Sequence, residues 1–347
     1  MFFRSRTQQP PTMTLEGALG PNSALDDAAG LRVASPEVLS VAGDGQLLFS
    51  SGALVCLLPG WGREAMIWKS FDRPVTALAC SPGGRVAVGL AGGAVSVLEQ
   101  SGEVSPGWIP VPGLASVADC LFLSEDELIL VDHGYRAVEN VLSVAPWDPA
   151  ERGRLVSMTR AGEARVIADR LHCPLGVCSD EDGEIIVTEF ERARIVSSSG
   201  TVRQSGFPAY PGRIRKSPAG YVMACPARRD PLIEFLKAEG DFVAEMKAKI
   251  PPQNWIAPRI SPDFSHDFPI ELGATRLFGQ IKPWAPSFSY GLVIALDKRL
   301  MPVASAHSRA NGKRHAIADA IVWNGDLIAV SKASGEILNL GPESAAA

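Results

Sequence analysis

The sequence has little of what nucleic-acid-binding and membrane proteins are built from. Its 347 residues carry 33 Lys and Arg against 38 Asp and Glu, a formal net charge of −5, so we expect no basic surface for nucleic acid or an anionic membrane. No apolar run approaches the roughly 20 residues that a transmembrane helix needs. The Phe and Arg residues at the start are not followed by the apolar segment of a secretory signal. We therefore expect neither nucleic acid nor a membrane as a partner.

Cysteine and histidine are also scarce, with six and five copies. The cysteines lie singly, mostly inside apolar runs, and Cys173 and Cys178 are too far apart for a C-x-x-C pair. No two histidines have zinc spacing, and the H-E-x-x-H, G-x-S-x-G and phosphate-loop motifs are absent. These observations predict buried free thiols in a reducing compartment, and therefore a cytoplasmic location.

What the sequence does have is a recurring pattern of strands and turns. Residues 171–200 read as an apolar run, a turn with Gly and Asp, a second run, a small-residue turn and a third run. Copies of this pattern start about every 40 residues, apart from two insertions, at 36–58, 74–99, 116–134, 171–200, 210–227 and 315–340. This spacing is typical of four-stranded propeller blades. It predicts an all-β, six-bladed β-propeller forming a single domain over residues 12–347, after a tail at 1–11.

The remaining strands and the insertions follow from the same pattern. Fourth strands are predicted at 65–71, 107–112, 164–169, 201–206 and 302–307. The sixth copy ends after its third strand, so we expect a segment near residues 12–20 to supply the missing strand. One insertion spans about 135–153, and a second spans about 229–290 in blade five. The second begins with helical spacing and continues rich in aromatics and Pro, which suggests a lid over one tunnel mouth.

Three segments resemble a known family. They are "CPLGVCSDEDGEIIVTEFERARIV", "YPGRIRKSPAGYVMACPARRDPLIEFLKA" and "SFSYGLVIALD", and they resemble the strictosidine synthase-like propellers. That family is related more distantly to the paraoxonases and to regucalcin-type gluconolactonases. The resemblance covers roughly residues 35–340. It implies a six-bladed propeller with a small-molecule site at one end of the central tunnel.

The innermost strands of a propeller all start at the same end of the tunnel, so residues at those starts converge. Here they are Glu37, Thr76, Asp119, Leu175, Gly212, Arg213, Ala318 and Asp319. Convergence of charged groups on rigid strands suits metal or acid–base chemistry. The related metal-binding propellers have oxygen ligands for calcium at blades four and five, where this chain has Leu175, which has no side-chain oxygen, and Arg213, which is positively charged. We therefore expect no cofactor, and Ca²⁺ stays open only as the alternative, with Glu37 and Asp119 as its acidic ligands.

Further candidates come from the resemblance and from residue chemistry. The resemblance implies an acid–base residue near the start of blade six, and Asp319 is the nearest carboxylate, although a one-residue slip would turn it away from the tunnel. His133, beside Asp132, and His315 are candidate catalytic histidines. The expected substrate-binding residues are Arg213, Leu175, Thr76, Trp147, Trp284, Phe288 and Tyr290. Glu189 is expected to be structural, paired with Arg192 or Arg194.

These residues predict a small organic substrate and leave three functions open. The leading hypothesis is hydrolysis of a lactone or ester, with Asp119, Glu37 or Asp319 activating water and Arg213 or His315 stabilising the oxyanion. The first alternative is a metal-free condensing, cyclising or lyase activity with Asp319 as proton shuttle. The second is binding of a ligand or protein without turnover. Site carboxylates that are all neutralised by Arg or Lys favour binding, whereas an aromatic-walled pocket with one unpaired carboxylate favours an enzyme.

Overall fold

The computed structural model describes residues 14–260, 276–277, 280–283 and 287–343. After α1 (Ala24–Asp27) and β1 (Ala29–Arg32), the strands form six sheets around a central tunnel. From the tunnel outward, the strands of blade one are β2 (Leu39–Val41), β3 (Leu47–Ser51), β4 (Leu54–Leu58) and β5 (Met66–Ser70). Those of blade two are β6 (Val75–Cys80), β7 (Val86–Leu90) and β8 (Ala94–Leu98).

Blades three and four each have four strands. Blade three contains β9 (Asp119–Ser124), β10 (Glu127–Asp132), β11 (Gly153–Thr159) and β12 (Ala164–Leu171). Blade four contains β13 (Pro174–Ser179), β14 (Ile185–Glu189), β15 (Arg194–Ser197) and β16 (Val202–Ser205). The predicted fourth strands of blades one, three and four are therefore confirmed.

The last two blades are interrupted or closed by distant parts of the chain. A short strand β17 (Ala209–Tyr210) pairs with β20 (Ala227–Arg228) beside blade five, which contains β18 (Ile214–Lys216), β19 (Gly220–Cys225), β23 (Gly291–Asp297) and β24 (Pro302–Ser308). The small pair β21 (Arg276–Leu277) and β22 (Gln280–Ile281) lies within its insertion. Blade six contains β25 (Ile317–Trp323), β26 (Asp326–Ser331) and β27 (Glu336–Pro342), with β1 as its outer strand.

The ring is closed by an N-terminal strand, but not by the residues expected. The inner strands contact one another in the order β2, β6, β9, β13, β18, β25 and back to β2. Strand β1 pairs antiparallel with β27, from Ala29 opposite Asn339 to Arg32 opposite Glu336. The prediction of residues 12–20 was wrong. Gly17 has a φ of +58°, which breaks an extended strand, and Gly17–Leu19 forms a 3-10 helix lying against β24.

Blade two lacks the fourth strand predicted at 107–112. In the described chain its sheet has three strands, and beyond β8 only Leu98 and Val104 form an isolated bridge. The physical reason is that Pro110 and Pro112 have no N–H to donate to a ladder. The 107–112 prediction is therefore wrong.

The middle strands of the blades form the core. In β10 the residues Leu128, Ile129, Leu130 and Val131 are all fully buried. Both faces are covered because neighbouring blades pack on either side, which explains why the apolar runs are continuous rather than alternating. Burying each such side chain contributes about 1.5–3 kcal/mol. All six cysteines are free thiols, and five of them are buried.

Helices occur mainly in the two insertions. The first insertion contains α2 (Val141–Val144) and a 3-10 helix at Ala145–Trp147. The second contains α3 (Pro231–Ala238), α4 (Gly240–Lys249) and a 3-10 helix at Pro252–Asn254. The Asp230 side chain caps α3 by accepting a hydrogen bond from the Leu232 N–H. In the described chain, no helix has the length and apolar character to cross a membrane.

Candidate functional site at the tunnel mouth

Bulges in the inner strands shape the tunnel mouth. In blades two, four and six the strand pairing skips one residue at the mouth, which is Thr76, Leu175 and Ala318 respectively. A bulge re-aims the extra side chain and frees its backbone groups from the ladder. All three bulged residues line one cavity. The blades therefore present equivalent positions to a common space.

Arg213 fills the centre of the mouth. It immediately precedes β18, and its side chain is 7% exposed. Its terminal N–H groups donate to main-chain oxygens of four other blades, those of Thr76 (2.6 Å), Ala318 (2.8 Å), Ala118 (2.9 Å) and Glu37 (3.2 Å). Glu37 and Lys332 form an ion pair beside it. We call Arg213, Glu37 and Lys332 the upper layer.

A second charged group lies deeper in the tunnel. Arg215 binds Asp119 through both oxygens at 2.6 and 2.9 Å, and Asp319 at 3.0 Å. Both carboxylates are fully buried. They also accept hydrogen bonds from the Val177 and Leu39 N–H groups. We call Arg215, Asp119 and Asp319 the lower layer.

The lower layer does not border the cavity. Asp119 and Asp319 are absent from its lining, so the structure does not bring these two predicted catalytic residues to the cavity. Burial raises the pKa of Asp319 even though Arg215 and Arg213 oppose the rise. The proton-shuttle role that the condensing or lyase alternative assigned to Asp319 therefore has no support from its position.

The cavity above Arg213 has a volume of about 340 Å³. Its floor is formed by the upper layer and the bulged residues, and one wall is the first insertion, including Tyr135 and Leu142. Outside these parts, the lining is mostly Ala, Gly, Val, Pro and Ile. A mainly apolar concavity with a few polar groups, in this size range, suits a small organic molecule.

Glu37 is the tunnel carboxylate that reaches the cavity in the described structure. Its side chain is 27% exposed and lies 3.5 Å from Arg213. Burial tends to raise the pKa of Glu37, but the Lys332 ammonium and the Arg213 guanidinium outweigh this and leave the pKa below its ordinary value. Glu37 is therefore ionised at neutral pH.

His133 also lines the cavity; burial keeps its ring neutral, and the Tyr135 N–H decides which ring nitrogen carries the proton. Burial lowers the pKa of His133 to about 4, although Asp132 opposes the shift. The ring Nδ1 accepts a hydrogen bond of 3.0 Å from the Tyr135 N–H. In a neutral imidazole with Nδ1 accepting, the proton sits on Nε2. Nε2 bonds no described residue, so it can donate to a molecule in the cavity.

This protonation state changes the role expected for His133. A general base needs a free lone pair, and the free nitrogen of His133 carries the proton instead. His133 is therefore a hydrogen-bond donor rather than a base. His315 does not line the cavity. Its two ring nitrogens are hydrogen-bonded to the Ser289 hydroxyl and the Arg309 carbonyl, each at 2.8 Å.

Trp147, Phe288 and Tyr290, which were expected to bind substrate, pack inside the protein instead of lining the cavity. Trp147 packs against Ile233 and Met246 and donates to the Ile256 carbonyl. Phe288 lies at the edge of that cluster, while Tyr290 is buried against His307. Trp284 lies outside the described residues. The expectation that Trp147, Phe288 and Tyr290 contact substrate is therefore not supported by their positions.

Three of the residues expected to bind substrate line the cavity, and Glu189 lies in a structural ion pair. Thr76 and Leu175 line the cavity, and the Thr76 hydroxyl donates to the Val117 carbonyl at 2.7 Å. Arg213 lines it too, but its four terminal N–H groups are committed to main-chain oxygens and its unpartnered Nε–H is buried, so it adds chiefly positive charge. Glu189 is buried and pairs with Arg194, as expected of a structural acid.

The residues at the mouth do not fit a calcium ion. The Arg213 guanidinium occupies the centre, where the converging carbonyl oxygens already accept its hydrogen bonds. It also lies within 4.0 Å of both acidic ligands expected, Glu37 and Asp119. Leu175 contributes no side-chain oxygen. In the described residues no group of three or more His, Cys, Asp and Glu is arranged to hold a metal.

Several site residues were not found from the sequence. Lys332, Tyr135 and Glu139 line the cavity, and Arg215 neutralises two buried carboxylates. A signal for Arg215 was present, since "RIRK" places two arginines at alternate positions in an inner strand. Buried cations there require buried acids, and Asp119 and Asp319 were already candidates.

Comparisons with known proteins agree with this architecture. Residues 171–196, which contain most of the first three strands of blade four, match the NHL repeat. A solved structure of a protein provisionally called a gluconolactonase is 10% identical with a TM-score of 0.54, covering 91% of this chain and 92% of that one.

A second solved structure, a gluconolactonase from Xanthomonas campestris, is 11% identical with a TM-score of 0.55. It covers 97% of this chain and 96% of that one. No curated protein has a sequence that matches this chain significantly. The chain is thus a six-bladed β-propeller that contains an NHL repeat and is similar in fold to gluconolactonase propellers.

Proposed function

We propose that this protein hydrolyses a lactone or ester at the tunnel mouth without a metal ion. Glu37 acts as the general base, and His133 donates a hydrogen bond to the substrate carbonyl. The observation that carries the proposal is the separation of the tunnel carboxylates. Glu37 borders the cavity, whereas Asp119 and Asp319 lie in the lower layer and are bound to Arg215.

The reaction follows from these two groups. Glu37 takes a proton from water as the water oxygen attacks the carbonyl carbon. The carbonyl oxygen becomes negative, and the N–H at Nε2 of His133 stabilises it. When the intermediate collapses, the acyl C–O bond breaks, and Glu37 returns the proton to the leaving oxygen. The products are a carboxylic acid and an alcohol, which remain joined as a hydroxy acid when the substrate is a lactone.

The choice of substrate class rests on the fold and the cavity. The two solved propellers of similar fold are called gluconolactonases. The cavity volume of about 340 Å³ suits a small ring or a short ester. Its mainly apolar lining favours an uncharged or moderately polar substrate.

The test is a panel of lactones and aryl esters assayed with the wild type, Glu37→Gln and Glu139→Gln. Removing a general base typically costs 10²–10⁴-fold in rate, so we expect kcat to fall by about that factor in Glu37→Gln. Glu139→Gln is the matched control, because Glu139 also lines the cavity as an ion-paired carboxylate. Equal losses in both variants, or none in Glu37→Gln, would reject Glu37 as the base.

The His133 role needs its own variant. Asn can accept the hydrogen bond from an N–H two residues ahead, so His133→Asn preserves the turn to Tyr135 while shortening the donor. Loss of one donor to an oxyanion costs about 10²–10³-fold in kcat. A fall in kcat with unchanged thermal stability supports the assignment, and wild-type kcat contradicts it.

Ligand binding without turnover is a second candidate, favoured by one observation. Both carboxylates that line the cavity in the described structure are ion-paired, Glu37 with Lys332 and Arg213, and Glu139 with Arg136 and Arg152. The same panel separates the two functions. A compound that raises the melting temperature but is never hydrolysed, even at high enzyme concentration, supports binding and rejects hydrolysis of that class.

A further inference from the structure

Main-chain oxygens from several blades come close together at the centre of the tunnel mouth, where their partial negative charges repel one another. The main-chain oxygens of Glu37, Thr76, Ala118 and Ala318 come from four different blades and converge on one point. Buried carbonyl oxygens need hydrogen-bond partners, and a cluster of their negative ends is repulsive without positive charge. A cation at this place supplies both the hydrogen bonds and the positive charge that these oxygens call for.

The oxygen set is of the kind that calcium binds. Ca²⁺ takes 6–8 oxygens from backbone carbonyls and carboxylates in irregular geometry. Here four carbonyl oxygens are accompanied by two carboxylates, since Glu37 Oε1 and Asp119 Oδ1 lie 3.5 and 4.0 Å from nitrogens of Arg213. A single guanidinium sits where these oxygens meet.

The geometry points to a built-in cation: we propose that Arg213 replaces a divalent metal at the centre of this propeller and makes the fold independent of calcium. The guanidinium is always charged and presents its donors in a fixed fork, so it can bind several oxygens at once. Since it is attached to blade five, it cannot dissociate, and its occupancy does not depend on a free-ion concentration.

The charge balance of the tunnel supports the same inference. The upper and lower layers together contain three cations, Arg213, Arg215 and Lys332, and three carboxylates, Glu37, Asp119 and Asp319. Adding a divalent ion to this balanced set would leave uncompensated positive charge in a buried region, which is strongly unfavourable. Removing Arg213 would leave the oxygens in place with one negative charge in excess. The variant, unlike the wild type, should therefore attract calcium.

The test measures melting temperature and calcium binding by titration calorimetry for the full chain, in EDTA and in millimolar Ca²⁺. We expect wild-type protein to bind no calcium and to melt within about 1 °C under both conditions. Arg213→Ala should melt on the order of 10 °C lower in EDTA and recover several degrees in Ca²⁺. Mg²⁺ should restore less, because it demands regular octahedral geometry.

Two further variants keep the result interpretable. Arg213→Lys keeps the charge but not the fork, so it should fold, melt between the wild type and Arg213→Ala, and ignore calcium. Arg154→Ala removes an arginine that bridges Asp132 and the Gly113 carbonyl elsewhere in blade three, and it should lower the melting temperature without a calcium response.

Four results would overturn the proposal. They are calcium-dependent melting of the wild type, a calcium response in Arg213→Lys, wild-type stability of Arg213→Ala in EDTA, and destabilised Arg213→Ala that ignores calcium. If Arg213→Ala does not fold in EDTA, refolding in calcium supports the proposal and failure in both media contradicts it.

Discussion

The two layers of the tunnel both pair an arginine with carboxylates, but they differ in their access to the cavity. In the lower layer Arg215 faces two fully buried carboxylates and has no border with the cavity. In the upper layer Arg213 faces main-chain oxygens, and Glu37 and Lys332 are each partly exposed at the cavity. The difference shows that a charged residue in a tunnel is not by itself a catalytic residue. Access to the cavity separates the charges that could meet a bound molecule from those that only stabilise the fold.

The largest loss of stability is expected when the lower layer loses Arg215. Replacing Arg215 with Met leaves Asp119 and Asp319 buried without their bound cation, and breaking a buried ion pair from one side costs about 3–5 kcal/mol. We expect the free energy of unfolding, measured by urea denaturation, to fall by that amount. Combining Arg215→Met with Asp119→Asn and Asp319→Asn should recover a large part of the loss. A loss below about 1 kcal/mol would mean that the lower layer does not hold the blades together.

A substitution at Asp119 should lower stability but leave activity nearly unchanged. Asp119→Asn should lower the free energy of unfolding by about 2–3 kcal/mol, because it leaves the Arg215 charge partly uncompensated. Activity measured well below the melting temperature should stay within about 3-fold of the wild type, in contrast to Glu37→Gln. A hundredfold loss of kcat in stable Asp119→Asn protein would move the acid–base role to the lower layer.

The free energy of unfolding should also depend on pH through His133, but less strongly than on the substitutions in the lower layer. The pKa of His133 is lowered to about 4 in the folded protein, against about 6.5 in the unfolded chain. The unfolded chain therefore takes up the proton first, and this contribution to stability is present above about pH 6.5 and is lost as pH falls to about 4. Allowing for partial exposure, the loss is about 1–2 kcal/mol. Urea denaturation from pH 7 to 4 should show a shallower decline for His133→Asn, and an unchanged decline would contradict the burial of a neutral ring.

The smallest effect on stability is expected at Lys332. Its pair with Glu37 is partly exposed, so Lys332→Met should change the free energy of unfolding by less than about 1 kcal/mol. Its effect on the pH dependence of kcat/KM should be clear, because Lys332 helps hold the pKa of Glu37 down against burial. The acidic limb should move to higher pH in the variant. A limb that does not move means that Glu37 is not the titrating base.

Much of the fold could be predicted from the sequence because the blade pattern is local. Each copy contains its own apolar runs and turn residues, and most strands lie where those runs do. The closing strand was misplaced because β1 is short and contains Gly30, so it has no apolar pattern to distinguish it. Pairing with β27 decides its position, and such pairing joins opposite ends of the chain.

The site could be predicted only in part, for a different reason. Counting to the start of each inner strand identified Glu37, Thr76, Leu175 and Arg213, all of which line the cavity. The bulge at Ala318 adds a residue that the alternation of a regular strand does not reveal, and Asp319 lies below the cavity. Lys332 and Tyr135 come from loops after second strands, where no periodic pattern indicates the direction of a side chain.

The bulges at the mouth also bear on how the lining of the cavity can vary by mutation. Thr76, Leu175 and Ala318 display their side chains to the cavity while standing outside the regular pairing of their blades. A mutation at one of them changes the cavity lining without removing a hydrogen bond from the strand pairing, although at Thr76 it also removes the bond to the Val117 carbonyl. The mouth therefore offers three positions at which the cavity lining can change while the strand pairing of the blades stays the same.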